Sequence, residues 1–149
     1  MDDESRRMRV LVLAAGLSRR FGDSDKLMAT LNGKPLIAHL LDNLLASGVP
    51  ADEITVCVNT EATALRQWLT TRNLAVTVCP HASLGMGSTL ADAIAAHPSS
   101  SGWLICLADM PHIQPTTFAH LREQAPLHAL LAPTWRGRRG HPVYFARCW

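Results

Sequence analysis

Short apolar runs of strand length alternate with amphipathic stretches along this chain, and that alternation narrows the possible folds more than any single motif. Residues 9–13, 53–58, 75–79 and 103–108 read as strands. Residues 36–46 follow Pro35 and place Leu36, Leu40 and Leu44 beside Ile37, Leu41 and Leu45 on one stripe, so they read as a helix that Gly48 ends. Further helices are predicted over 61–70 and 88–96, with a loop over 81–86. Strands this uniformly apolar have no face suited to water. They belong in a parallel sheet covered on both sides by helices, which is an α/β fold.

In sheets of that kind ligands bind at the carboxyl ends of the strands, near a switch in strand order. Three sequence elements are predicted to meet there: the segment after the first strand, the turn at Gly85-Met86-Gly87, and Asp109-Met110-Pro111 after the strand over 103–108. The first reads Leu13-Ala14-Ala15-Gly16-Leu17-Ser18-Arg19-Arg20-Phe21-Gly22 and closes with Asp25-Lys26. Small residues leaving a buried strand expose backbone amides to an anion, and Gly16 lets the backbone approach without a Cβ in the way. Ser18 adds a hydroxyl donor. Arg20 adds a bidentate fork and Lys26 a point charge, the set needed to hold a triphosphate.

Two common phosphate loops do not fit. The dinucleotide fingerprint needs three glycines at closer spacing, and the Walker loop needs Gly-Lys followed by Ser or Thr, whereas Gly33-Lys34 precedes Pro35. The order Leu-Ala-Ala-Gly-x-Ser-x-Arg-Phe-Gly-x-x-Asp-Lys instead resembles the signature loop of the MobA-like nucleotidyltransferases, nearest to the molybdenum cofactor cytidylyltransferase branch. The resemblance extends from Val10 to Phe145 and implies a three-layer Rossmann-like fold with a mostly parallel sheet and helices on both faces.

It also implies roles. Leu13, Ala14, Ala15, Gly16, Ser18, Arg20 and Lys26 would bind nucleotide phosphates, and Gly85, Met86, Gly87 and Thr89 would line the base and ribose, with Thr89 where serine is usual. Asp109, in a Leu-x-Asp-Met-Pro pattern, would hold Mg²⁺, a cation that takes carboxylate oxygens together with substrate phosphates. Lys26, Arg20 and Asp109 would carry catalysis. Arg139, Gly140, His141 and Pro142 would face an anionic acceptor, with Tyr144 where glycine is common. Ala15 points to CTP, because guanylyl-transferring relatives read Leu-Ala-Gly-Gly. The implied reaction moves CMP onto the phosphate of molybdopterin and releases pyrophosphate, with a molybdoenzyme or its chaperone as protein partner. A phosphate monoester with a second pKa near ~6 is already largely dianionic at neutral pH, which removes the need for a general base. Two alternatives use the same loop: a sugar-phosphate or alditol-phosphate nucleotidyltransferase, and a module that binds nucleotide without transferring it.

At 149 residues, 48% apolar and 17% charged, the chain is expected to form one domain over residues 9–149 behind a flexible charged leader, residues 1–8. A net charge of +2 is too small for a nucleic-acid surface, and no apolar run reaches membrane-spanning length. Cys57, Cys79, Cys106 and Cys148 lack metal-ligand spacing and read as reduced thiols of a cytoplasmic protein. His39, His81, His97, His112, His120 and His128 read as surface or satisfied core residues, and Trp68, Trp103 and Trp135 as packing residues. Members of the family continue past the Gly-His-Pro-Val stretch to a second acidic metal ligand, whereas this chain ends at Trp149. The domain is therefore expected to be truncated, to bind Mg²⁺ more weakly, and to leave its last strand unpaired at an edge.

Overall fold

The computed structural model describes residues 8–15, 27–81, 86–98, 100–135 and 138–147. A six-stranded sheet forms its centre. β1 (Met8–Leu13) pairs in parallel with β4 (Ile54–Val58) on one side and β6 (Gly102–Leu107) on the other, and β5 (Ala75–Val78) extends the sheet beyond β4. β10 (Val143–Ala146) runs antiparallel beside β6, and β7 (Leu130–Leu131) lies outside it. The strand order is β5-β4-β1-β6-β10-β7. Beyond β1 the chain first builds outward through β4 and β5, then crosses back to lay β6 on the other flank, so the order reverses at β1.

Alternation along β1 explains why its sequence has no polar phase. Val10, Val12 and Ala14 face a core with helix α1 (Leu36–Ala46), helix α2 (Thr63–Thr71) and helix α4 (Pro115–Gln124). Leu11, Leu13 and Ala15 face a second core with Ala93, Leu90 and Ile94 of helix α3 (Met86–Ala96). Both faces are therefore dry, and the result is the three-layer α/β arrangement expected from the sequence.

Helix α1 occupies the predicted residues, and Gly48 ends it with φ +96°. Other boundaries shift for local reasons. Glu53 leaves the predicted strand for a single 3-10 turn, Ala51–Glu53, where its buried carboxylate accepts a hydrogen bond from Arg122 at 2.9 Å. The predicted helix at 61 starts at Thr63 because the Asn59 side chain accepts the Glu61 amide and holds a turn first. Short pairings were not foreseen. β2 (Thr30–Leu31) and β3 (Lys34–Pro35) form a hairpin across Asn32-Gly33, both in the left-handed region, and β8 (Thr134–Trp135) pairs with β9 (Arg138–Arg139).

The expectation of an unpaired last strand is corrected. β10 has a neighbour on each side, because 130–131 supplies an outer strand that the sequence reading did not assign. Cys57, Cys79 and Cys106 are free and buried as expected, while Cys148 and the leader through Arg7 lie outside the described residues.

Candidate active site

The register of the sheet brings two of the predicted elements together. Leu13 is level with Leu107 and Cys57, and the ladder continues one step further: the Ala14 amide donates to the Cys57 carbonyl at 2.8 Å, and the Ala108 amide to the Leu13 carbonyl at 3.1 Å. Ala15 and Asp109 therefore leave adjacent strands side by side at the reversal in strand order. Leu13, Ala14 and Ala15 are almost fully buried, so this part of the segment offers only backbone to a ligand.

Asp109 is half-buried just past the end of β6, in a turn closed by the Met110 amide on the Leu107 carbonyl at 3.2 Å. His141 approaches from the antiparallel side. Val143 pairs with Ile105, so the chain enters β10 from the Leu107 end of β6, where Asp109 follows. Burial pushes the His141 imidazole below its ordinary pKa, partly opposed by the negative charge of Asp109, so the two side chains share one electrostatic environment. At neutral pH His141 is uncharged and can donate one hydrogen bond. Pro142 is buried, with the His141–Pro142 peptide cis, and the Gly140 amide donates to the Pro133 carbonyl at 3.0 Å.

At the start of α3, Gly87 is exposed and Thr89 is completely buried. A Cβ built on Gly87 or Gly140 would meet nothing within 4 Å, and neither residue has positive φ. Packing and backbone conformation therefore do not require glycine at either position. Gly16, Ser18, Arg20, Lys26 and Gly85 lie outside the described residues, and only the backbone of Met86 and Arg139 is described.

Several side chains acquire partners that sequence spacing did not reveal. His81 donates from Nδ1 to Asp92 at 3.1 Å, and its amide reaches the same carboxylate at 3.2 Å. This bond holds the Asp92 carboxyl below its ordinary range. His39 bonds the Leu31 carbonyl, and the Asn43 amide donates to the carbonyls of Pro111 at 3.3 Å and Ile113 at 2.9 Å. Their helix was legible, but the carbonyls that Asn43 meets lie far along the chain and the one that His39 meets depends on the hairpin fold.

Among the described residues no group of three His, Cys, Asp or Glu side chains could hold a metal by itself. A single half-buried carboxylate at a strand end still suits Mg²⁺, which completes its shell with water and substrate phosphates. No helix of the described residues is long and apolar enough to cross a membrane.

A family model for the MobA-like NTP transferase domain matches residues 10–149. The bifunctional protein GlmU of Cupriavidus necator is 28% identical over 134 residues, 89% of this chain but 27% of that protein, so the chain spans little more than a quarter of that relative. A probable molybdenum cofactor guanylyltransferase of Pyrococcus horikoshii is 64% identical over 33 residues, 22% of this chain and 17% of that protein. A Mycobacterium tuberculosis protein crystallised as a manganese complex has the same fold, with a TM-score of 0.74 at 21% identity over 96% of this chain and 72% of that one.

Proposed function

The chain belongs to the MobA-like NTP transferase family, and from that membership we propose that it transfers a nucleoside monophosphate, CMP from CTP, to the phosphate of molybdopterin with release of pyrophosphate. The observation that carries this reading is the placement of Ala15 and Asp109 on adjacent strand ends, with β10, which follows His141, pairing on the other side of β6. In this arrangement the backbone beyond Ala14, whose own amide is taken by the sheet ladder, takes the triphosphate together with Ser18, Arg20 and Lys26. Gly85, Met86 and Gly87 form the wall towards the base and ribose, while the completely buried Thr89 packs within α3, and Arg139, Gly140, His141 and Pro142 face the acceptor. Asp109 would hold Mg²⁺, which would supply positive charge to offset that of the phosphates. The neutral His141 imidazole adds a donor to the acceptor side without repelling that cation. The residues contribute alignment and charge neutralisation, which suffice for a phosphate nucleophile that is already ionised.

Ala15 supports cytidine, whereas the short match to a guanylyltransferase supports a guanine nucleotide. A panel of four triphosphates with Mg²⁺ separates them. CTP is expected to give the largest rise in Tm, since a ligand at a hundred times its Kd adds ~2.7 kcal/mol to stability. It is also expected to be the nucleotide that releases pyrophosphate once a phosphorylated pterin is added. A response led by GTP would overturn the cytidine assignment, and no response to any triphosphate would overturn the function.

Gly87 gives a second test, with opposite effects on two readouts. Alanine is accommodated there and has the better helix propensity by about 1 kcal/mol, so Gly87→Ala should leave Tm equal or higher. Its methyl group would occupy space needed by the nucleotide, raising the KM for CTP about tenfold, the equivalent of 1.4 kcal/mol. An unchanged KM would remove Gly87 from the nucleotide site.

A further inference from the structure

Three polar side chains of α1 hold the hairpin just before it and two segments further along the chain. His39 and Asn43 are one turn apart on the same side of the helix, with Asp42 beside them. The His39 Nε2 donates to the Leu31 carbonyl, gripping the β2–β3 hairpin that follows Lys26 in the chain. Asp42 bonds Lys34 of the same hairpin at 2.8 Å and Arg72 at the end of α2 at 2.7 Å. The hairpin is also tied to the start of the helix by the Leu36 amide on the Ala29 carbonyl at 2.9 Å. Asn43 reaches the other way. Its Nδ2 spans the carbonyls of Pro111 and Ile113, directly downstream of Asp109.

We propose that α1 is a bracket joining the β2–β3 hairpin to the turn that carries Asp109, with Asn43 as the positioning residue for Asp109. The inference rests on the reading of Asp109 as the metal-holding carboxylate. Asn43 itself touches neither metal nor substrate in this scheme. Asp109 sits at the mouth of a turn in which the Met110 amide bonds the Leu107 carbonyl, and between Pro111 and the start of α4 at Pro115 the chain is held by Ile113 packing on the core and by the Asn43 amide. Two carbonyls on one amide nitrogen fix the backbone orientation that packing of a single side chain leaves adjustable. A carboxylate held within a fraction of an ångström binds a cation with little reorganisation, whereas the same carboxylate on a loose turn must be ordered at each binding event.

The test uses Asn43→Asp, which keeps the volume but has no donor, and Asn43→Ala, which removes the group without adding charge. Manganese affinity is read by electron paramagnetic resonance in the presence of CTP, alongside kcat, KM and Tm. Both variants are expected to weaken manganese binding and lower kcat by about tenfold, as outer partners of metal ligands typically do, with KM for CTP within twofold of the parent. In an Asp109→Asn background the same substitutions should change manganese binding less than twofold, because the group through which Asn43 acts is gone. Parent-like manganese binding in a folded variant, or equal effects in both backgrounds, would overturn the bracket. An Asp109→Asn protein that binds manganese like the parent would instead show the underlying metal assignment to be wrong.

Discussion

Asp109→Asn is expected to lower turnover about a hundredfold while leaving the fold intact. The substitution is isosteric and the residue is half-buried at a strand end, so no cavity forms and no apolar group is displaced. It removes the negative charge that the proposed chemistry uses. Losing one preorganised electrostatic contact of this kind costs ~3 kcal/mol in the transition state. CTP binding measured without metal should change little, which separates a charge effect at the reacting centre from loss of the nucleotide site. A second readout does not depend on activity. Burial lowers the His141 pKa and the Asp109 charge partly opposes that shift, so removing the charge leaves burial unopposed. The imidazole midpoint in the metal-free variant should fall further below its ordinary ~6.5, as followed by NMR. Turnover within a few-fold of the parent would refute the assignment of Asp109.

Gly102→Ala is expected to be the most damaging small substitution to stability. Gly102 begins β6 opposite Ala146 of β10. A Cβ there would lie 2.6 Å from the Phe145 carbonyl and 2.5 Å from Cζ of the buried Tyr144, and it would also collide with the Tyr144 hydroxyl. A backbone carbonyl in a ladder and a buried aromatic ring cannot both give way, so β10 must move off β6. Overpacking of this order costs about 3 kcal/mol, and a domain of this size loses roughly 10 °C in Tm for it. Adding Tyr144→Phe should recover part of the loss by removing the hydroxyl. A Gly102→Ala Tm within a degree of the parent would show that this junction is not tight. The effect should also reach the active end, because β10 continues directly from His141 and Pro142.

How far the sequence reveals this architecture depends on the range of the interactions involved. The strands and α1 were legible because Val10 to Leu13, Ile54 to Val58 and the stripe through Leu40 and Leu44 carry their own periodicity. The place of Asp109 was legible from the Met-Pro stop that follows an apolar strand. Local side-chain bonds moved the boundaries, as with Asn59 ahead of α2 and Glu53 pairing with Arg122. The hairpin at Asn32-Gly33 carries a turn signal of its own, but the same Gly33-Lys34 pair also fits the start of a phosphate loop, and two-residue strands on either side add no periodicity that decides between them. Two-residue strands such as β7 have no pattern long enough to read, and without β7 the last strand looked like an edge. The roles of Asn43 and His39 depend on partners brought to α1 by the tertiary fold, which a single sequence does not specify.

Because β1 is hydrogen-bonded on both flanks and packed on both faces, its amides should exchange with solvent only when the whole domain opens. The amides that leave its end start from the stiffest point of the molecule. At Ala14 and Ala15, the part of that exit that is buried, ordering is completed during folding, leaving a smaller entropic penalty for any ligand that meets the backbone there.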